Sequence, residues 1–259
     1  MGLQVAAFDI ETVPDPELLR RCYQDDNASD DELIERAEDE AIEKTGSNML
    51  PIQFHKIACI SLLYRDSGKD IFRISSKRPP EHSEKDALEA FFLLIDRHSP
   101  QLVSWNGSGF DLPVMHLRAM QHRVVCETYW RGPGNRYEQY TSRYSDHHLD
   151  LMDKLALYQP RCYARLETAA LACGLPGKMG TNGSAVHEMW KAGKYKQIAD
   201  YCETDVLNTY LLWLRFMMIS GAITPDEHDG ECEAIASQLT SSQAEHLIDF
   251  HARWIGGNS

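Results

Sequence analysis

Apolar positions follow two periods along this chain, and the switches between them mark its elements. Residues 3 to 12 are rich in strand formers, with Val5, Phe8, Ile10 and Thr12, and Pro14 and Pro16 then predict a stop. Strand alternation puts Phe8 and Ile10 on one face and Asp9 and Glu11 together on the other. A second strand is predicted over 55 to 64, carrying Ile57, Ala58, Ile60, Leu62 and Leu63, and a third over 71 to 74. The polar run from Arg65 to Lys69 between them is hairpin chemistry, so the first three strands read as an antiparallel meander. Helical spacing then takes over: Ser83 caps a helix whose Leu88, Phe91, Phe92 and Ile95 share one face, ended by His98-Ser99-Pro100. A fourth strand, 101 to 105, runs into Asn106-Gly107-Ser108-Gly109-Phe110-Asp111, followed by a helix with Pro113 in its first turn. Residues 123 to 126 predict a short fifth strand.

The second half is mostly helical in pattern. Short helices are predicted over 151 to 158 and 166 to 173, the latter closed by Gly174, and a glycine-rich loop follows over 177 to 183. A long helix spans about 195 to 220, ended by Gly221 and Pro225. Beyond it, residues 221 to 259 read as a helical tail docked by Ile235, Leu239, Leu247, Phe250 and Trp254. Residues 17 to 50 read as an acidic insertion whose second half is a surface helix, opened by the Ser29/Glu32 capping box and carrying a solvated charge run. The expected organisation is one α/β domain, residues 1 to 220, with the tail packed on it.

Composition narrows the class. The chain has 259 residues, 43% hydrophobic and 25% charged, with a net charge of -13. Eleven acids against four bases lie between Glu17 and Lys44, so the insertion supplies about half of that excess. Broad electrostatic capture of nucleic acid is disfavoured, although a local basic surface remains open. Seven cysteines without a C-x-x-C pair signal neither a disulfide framework nor a zinc site. No apolar run suits a membrane span and no signal-peptide pattern opens the chain, so the expectation is a cytoplasmic protein with no membrane partner.

Candidate chemistry sits at the strand and turn ends. Asp9 and Glu11 on an otherwise apolar strand repel each other and resist burial unless a cation stands between them, which a divalent ion would supply; a solvated acidic edge is the alternative. Asp111 can be read as a helix cap or as a third carboxylate for the same site. Tyr201 and Asp205, four apart on the long helix, share a face. His147, His148 and Asp150 lack partners at zinc-like spacing and read as neighbours of a site rather than its ligands. Residues 127 to 148 interleave Tyr129, Trp130, Tyr137, Tyr140 and Tyr144 with Arg131, Arg136 and Arg143, a composition that stacks bases and holds phosphates, or else packs as a flap.

Taken in order, Asp9-x-Glu11, Asn106-x-x-x-Phe110-Asp111 and Tyr201-x-x-x-Asp205 resemble the three exonuclease motifs of the DEDD superfamily in its tyrosine-bearing branch. Phe8-Asp9-Ile10-Glu11-Thr12 is similar to the first motif of family B DNA polymerase proofreading domains, and the nearest group is the bacterial stand-alone 3′-to-5′ exonucleases related to them. The resemblance covers roughly residues 3 to 215. The chain carries no polymerase palm signature, so polymerisation is not implied. The resemblance implies an RNase H-like fold, a mixed five-stranded sheet flanked by helices. It implies two Mg²⁺ or Mn²⁺ ions, as hard oxygen ligands suit. Asp9 would bridge both, Glu11 and Asp205 would complete the first, and Asp111 would hold the second through water. Tyr201, with an ordinary pKa of about 10, would orient the nucleophile rather than act as a base. Thr12, Asn106, Phe110, Arg131, Arg136, Arg143 and Lys178 are the expected substrate contacts. The implied activity is metal-dependent 3′-to-5′ hydrolysis of single-stranded DNA to nucleoside monophosphates, distributive because of the acidic surplus. The same chemistry on RNA ends is one alternative. A nuclease fold retained for binding is another, and the complete carboxylate set counts against it.

Overall fold

The computed structural model describes residues 4–132, 139–179 and 183–256. β1 (Gln4–Pro14) is the strand that opens the sheet, and it continues two residues past the expected stop. A register shift between Glu11 and Thr12 bulges it, after which Val13 and Pro14 pair with Lys56 and His55. Proline is tolerated there because the neighbour on the other side of β1 pairs only with Val5–Ala7, leaving the far end an edge.

The insertion is a helical hairpin. α1 (Pro16–Tyr23), not expected from the sequence, is capped by Asp15, whose carboxylate accepts the Leu18 amide, with Pro16 in its first turn. α2 (Asp30–Thr45) opens on the Ser29/Glu32 capping box and closes at Gly46, φ +76°. Leu19 meets Leu33, Ile34, Ala37, Ala41 and Leu50 in a small core of their own, so the helix is anchored along its apolar stripe while its acids stay solvated.

β2 (His55–Asp66) and β3 (Ile71–Lys77) complete the antiparallel meander. α3 (Glu84–His98) begins at the Ser83/Asp86 capping box, and β4 (Gln101–Ser104) then pairs parallel to β1. α4 (Asp111–His122) ends at Arg123, which adopts φ +57° and gives its amide to the Ala119 and Met120 carbonyls. This left-handed turn, with Val125 80% exposed, replaces the fifth strand expected over 123 to 126. After α5 (Glu127–Arg131), the fifth strand is β5 (His148–Asp150), parallel to β4. The sheet order is β3-β2-β1-β4-β5, the mixed five-stranded, RNase H-like sheet the motifs implied.

The remaining chain is helical: α6 (Leu151–Leu155), α7 (Leu166–Ala172), α8 (Val186–Lys191), α9 (Tyr195–Ile219), α10 (Pro225–Thr240) and α11 (Glu245–Gly256). α6 stops three residues short of its expected end, where Leu157 and Tyr158 both turn left-handed. Phe8 and Ile10 pack under α3 and α4, with Leu88, Phe91 and Phe92. Val5 and Ala7 lie on the opposite face beneath α9, whose outer flank is covered by Ile235, Leu239, Leu247, Phe250 and Trp254 from α10 and α11. A bidentate ion pair of buried Arg65 with Glu231, both contacts 2.9 Å, fastens α10 to β2. A second buried cation, Arg118, reaches Asp15 at 2.6 Å and both oxygens of Glu84 at 2.7 and 2.6 Å, tying α4 to the α1 entrance and α3. No helix among the described residues is long and apolar enough to cross a membrane.

Candidate active site

Because Phe8 and Ile10 are committed to one core, the alternation of β1 leaves Asp9 and Glu11 on the face that α9 crosses. The bulge falls just after Glu11, where the strand leaves regular pairing. Cys202 of α9 packs directly against Asp9, with its thiol 3.4 Å from both Asp9 Oδ2 and the Asp9 carbonyl. Ligand atoms of Asp9, Glu11 and Cys202 lie within 4.8 Å of one another.

Asp111 reaches the same place from the other side. β4 ends at Ser104, so the Ile10 amide has no strand to pair with, and Asp111 Oδ1 accepts it at 3.1 Å. The side chain therefore does not cap α4 as the turn chemistry allowed; it replaces a missing strand carbonyl. The turn that presents it is held by Asp150, whose oxygens take the amides of Asn106 at 3.0 Å, Ser108 at 2.8 Å, Met152 at 3.1 Å and Asp153 at 3.4 Å. Gly107 is obligatory for sterics: a Cβ there would stand 2.3 Å from Ser104 Oγ and 2.6 Å from Ser104 Cβ. His148 donates to or accepts from Ser104 Oγ at 2.8 Å, so the histidine is part of the brace and faces away from the carboxylates.

α9 supplies the third wall. Tyr201 and Asp205 face β1, one turn apart, and one turn further Asn208 grips the 177 loop through both its amide atoms, to Gly177 N at 3.2 Å and Gly177 O at 2.9 Å. That clamp brings Lys178 over the Tyr201 ring, 5.5 Å from its centroid. Asp9, Glu11, Asp111, Tyr201 and Asp205 line one cleft of about 560 Å³. Its floor and rim also hold Asn106, Phe110 and Lys178, and three residues the sequence did not single out: Trp105, Tyr163 and Arg165. The Trp105 indole N–H donates to the Ala164 carbonyl at 3.0 Å, which pins this segment to the end of β4.

The electrostatics of the cleft are those of crowded, buried anions. None of the four carboxylates takes part in an ion pair among the described residues, and Asp205 Oδ1 is buried with no hydrogen-bond partner. Burial, with repulsion from Asp111 and Asp205, lifts Asp9 well above the usual carboxylate range. Glu11 is lifted likewise, by burial and by Asp9. Asp111 is raised by burial to about 7, against the lowering effect of the Ile10 amide. Asp205 is raised by burial to about 6 and held back by the Tyr201 hydroxyl and the Lys178 ammonium. Burial and the adjoining carboxylates push the Tyr201 phenol far up, so it remains a hydrogen-bond donor.

The other expected substrate contacts are scattered. Thr12 lies past the bulge and bonds to His55 Nδ1 at 2.9 Å, while Phe110 stacks edge-on against the same imidazole. Arg131 pairs with Glu127 at 2.8 Å on α5 and lines neither this cleft nor its neighbour. Arg143 lines a separate cavity beyond the β4–α4 turn. Arg136 and Tyr137, with Gly180 to Asn182 of the glycine loop, lie outside the described residues. No local sequence signal marked Cys202 or Tyr163, since each reaches the cleft only through long-range packing. Arg165, an exposed base immediately before a helix, could have been noticed.

The fold is an RNase H-like sheet, with carboxylates gathered from its first strand, its β4–α4 turn and its closing helix. Residues 47–254 match the model of the family described as predicted 3′-5′ exonuclease related to the exonuclease domain of PolB, and the chain belongs to that family. The match begins after β1, so Asp9 and Glu11 enter the site by geometry. Among solved structures the chain resembles the family B DNA polymerase from the hyperthermophilic archaeon Pyrobaculum calidifontis, with a TM-score of 0.53 and 16% identity. That likeness concerns the fold; it covers 96% of this chain and 27% of the polymerase chain. No curated protein matches.

Proposed function

We propose that this protein is a metal-dependent 3′-to-5′ exonuclease of the tyrosine-bearing DEDD type, acting on single-stranded DNA. The observation that carries the reading is the convergence of Asp9, Glu11, Asp111 and Asp205 in one cleft, none of them in an ion pair among the described residues and with Lys178 and Arg165 the bases beside them. Buried anions of this kind are stable only when protonated or metal-bound, and the raised pKa values with the orphaned Asp205 Oδ1 fit a divalent ion. All four donors are hard oxygens, the set that suits Mg²⁺ or Mn²⁺. Asp9, Glu11 and Asp205 would hold one ion, and Asp9 with Asp111 a second. Ions bound there supply Lewis acidity to the attacking water and to the leaving 3′ oxygen.

The chain's own groups do the rest. Tyr201, kept protonated, donates its O–H to the attacking water and sets its line of approach to phosphorus. Lys178, held by the Asn208 clamp, offers a positive charge to the phosphate. Trp105, Phe110 and Tyr163 give the terminal base apolar faces, and Asn106 lies beside them. Water's oxygen joins phosphorus, the P–O3′ bond breaks, and a nucleoside 5′-monophosphate leaves a strand shortened by one with a new 3′ hydroxyl.

The test is a pair of 5′-labelled oligonucleotides, DNA and RNA of one sequence, incubated with Mg²⁺ or Mn²⁺ and again with a chelator. The expected result is a ladder shrinking from the 3′ end of the DNA only when metal is present. A faster ladder on the RNA moves the substrate to RNA ends; no ladder on either strand refutes the nuclease reading.

A further inference from the structure

Beyond the β4–α4 turn lies a second cavity of about 690 Å³, within the range of about 300–1,000 Å³ typical of ligand sites. Ser108 and Asp150 of the turn and its brace face this cavity, while Asn106, Phe110 and Asp111 face the carboxylate cleft. The two hollows share one wall residue used by both, Tyr163. We propose that this cavity is a base-stacking subsite for a single nucleic-acid strand, receiving nucleotides on the 5′ side of the one being removed. The proposal deepens the nuclease reading and rests on it for the identity of the strand.

Four observations carry it. The lip is aromatic and solvent-facing: Tyr144 is 79% exposed, Tyr163 40% and Tyr158 38%, which offers ring surface on which bases can stack. Arg143 lies over the Tyr158 ring at 4.5 Å and near Tyr144 at 5.9 Å, which sets a guanidinium beside stacking faces, as base-and-phosphate binding requires. Neither Arg143 nor Lys154 has a carboxylate partner among the described residues, although acids exceed bases across the chain. The acids of the cavity are largely spoken for. Asp150 is saturated by backbone amides, and Asp153 accepts the Tyr163 hydroxyl at 2.5 Å, leaving Asp146 on the rim. Lastly, Leu157 and Tyr158 hold φ +51° and +57° in succession, a conformation bulky residues avoid, and it props Tyr158 under Arg143 with Leu157 turned out to solvent.

The fit is to a strand rather than to a compact ligand. Tyr163 lines both hollows, so a strand whose 3′ end lies over the carboxylates would pass this one side chain to reach the cavity. Stacking needs no sequence match, as a nuclease that meets every sequence requires.

The experiment measures binding with cleavage silenced. A 5′-fluorescein oligothymidylate is titrated with the full chain in excess chelator and read by anisotropy, for wild type, Tyr158→Ala and Arg143→Ala. Both side chains are exposed, and matched thermal melts verify folding. Each variant is expected to bind about tenfold more weakly, the loss expected of one stacking or phosphate contact. In parallel, 5-iododeoxyuridine placed internally in the strand is photo-crosslinked, and the adduct is expected within residues 139 to 163. Wild-type binding with unchanged variants, or adducts elsewhere, overturns the subsite and leaves the nuclease reading standing. Failure of the wild type to bind overturns the subsite, whereas the nuclease reading is overturned by failure to shorten the same strand with Mg²⁺.

Discussion

Asp111 serves two partners. Its Oδ1 completes the backbone pairing of Ile10, and its remaining oxygen is available to the cleft. Asp111→Asn keeps an acceptor for Ile10 while removing the charge, so the variant is expected to melt close to the chelated wild type and to lose Mn²⁺ affinity. Asp111→Ala removes both and is expected to melt lower. The cleft carboxylates also fix a pH dependence. Asp111 moves from an ordinary 3.8 to about 7 and Asp205 from 3.8 to about 6, so the metal-free folded chain holds more protons than the unfolded chain across that window. The stability this confers is complete below about 3.8 and drains away as pH rises through 6 to 7. The metal-induced rise in Tm should therefore be small near pH 5 and grow towards about pH 8, whereas a pH-independent shift would show that these groups do not bind the metal. At Gly107, alanine is expected to cost about 1–3 kcal/mol, because its methyl overlaps Ser104, and to loosen the turn that presents Asp111. Much at this scale was readable beforehand: the acidic face of β1, the capping boxes at Ser29 and Ser83, and the shared face of Tyr201 and Asp205 all follow from local periodicity. Asp150 could be placed near a site but not assigned its work, since two of its four amide contacts reach residues more than forty positions away.

Among the elements, the meander, α3, β4, α4 and α9 follow the hydrophobic pattern, and β5 does not. Three residues paired parallel to β4 across a 43-residue gap leave no periodic trace, whereas Val124 and Val125 have strand propensity with nothing to pair against. The end of β1 departs from the local pattern for the opposite reason: proline's missing donor matters only where a neighbouring strand needs it, and β4 stops short. The insertion hides a similar long-range tie. Arg118 of α4 is buried against Asp15 and Glu84, and Glu84 also accepts the Ile57 amide at 2.7 Å and His122 at 2.7 Å. Arg118→Ala strands two carboxylates and is expected to lower stability by about 3–5 kcal/mol in denaturant unfolding. A charge-removing double change at Asp15 and Arg118 that recovered nothing would show that the ion pair is not the reason.

At the scale of the molecule, α10 and α11 share the core of α9, and Trp254 is 5% exposed against it. Trp254→Ala is expected to cost about 3–5 kcal/mol in thermal or denaturant unfolding, as for other large buried aromatics, and a near-neutral change would mark the last helix as peripheral. The net charge of -13 gives the surface little hold on a phosphate backbone, and the acids of α2 lie away from both hollows. A strand held mainly by stacking should be released often, so a trap of unlabelled DNA is expected to halt degradation after few steps. All of this depends on the cleft being a metal site. The most direct measurement is calorimetric titration of the chelator-free protein with Mn²⁺ at neutral pH, for wild type and Asp9→Asn. The account predicts saturable binding of two ions by the wild type and loss of both in the variant, because Asp9 would serve each. Wild-type binding that survives the substitution unchanged, or no binding at all, would contradict it.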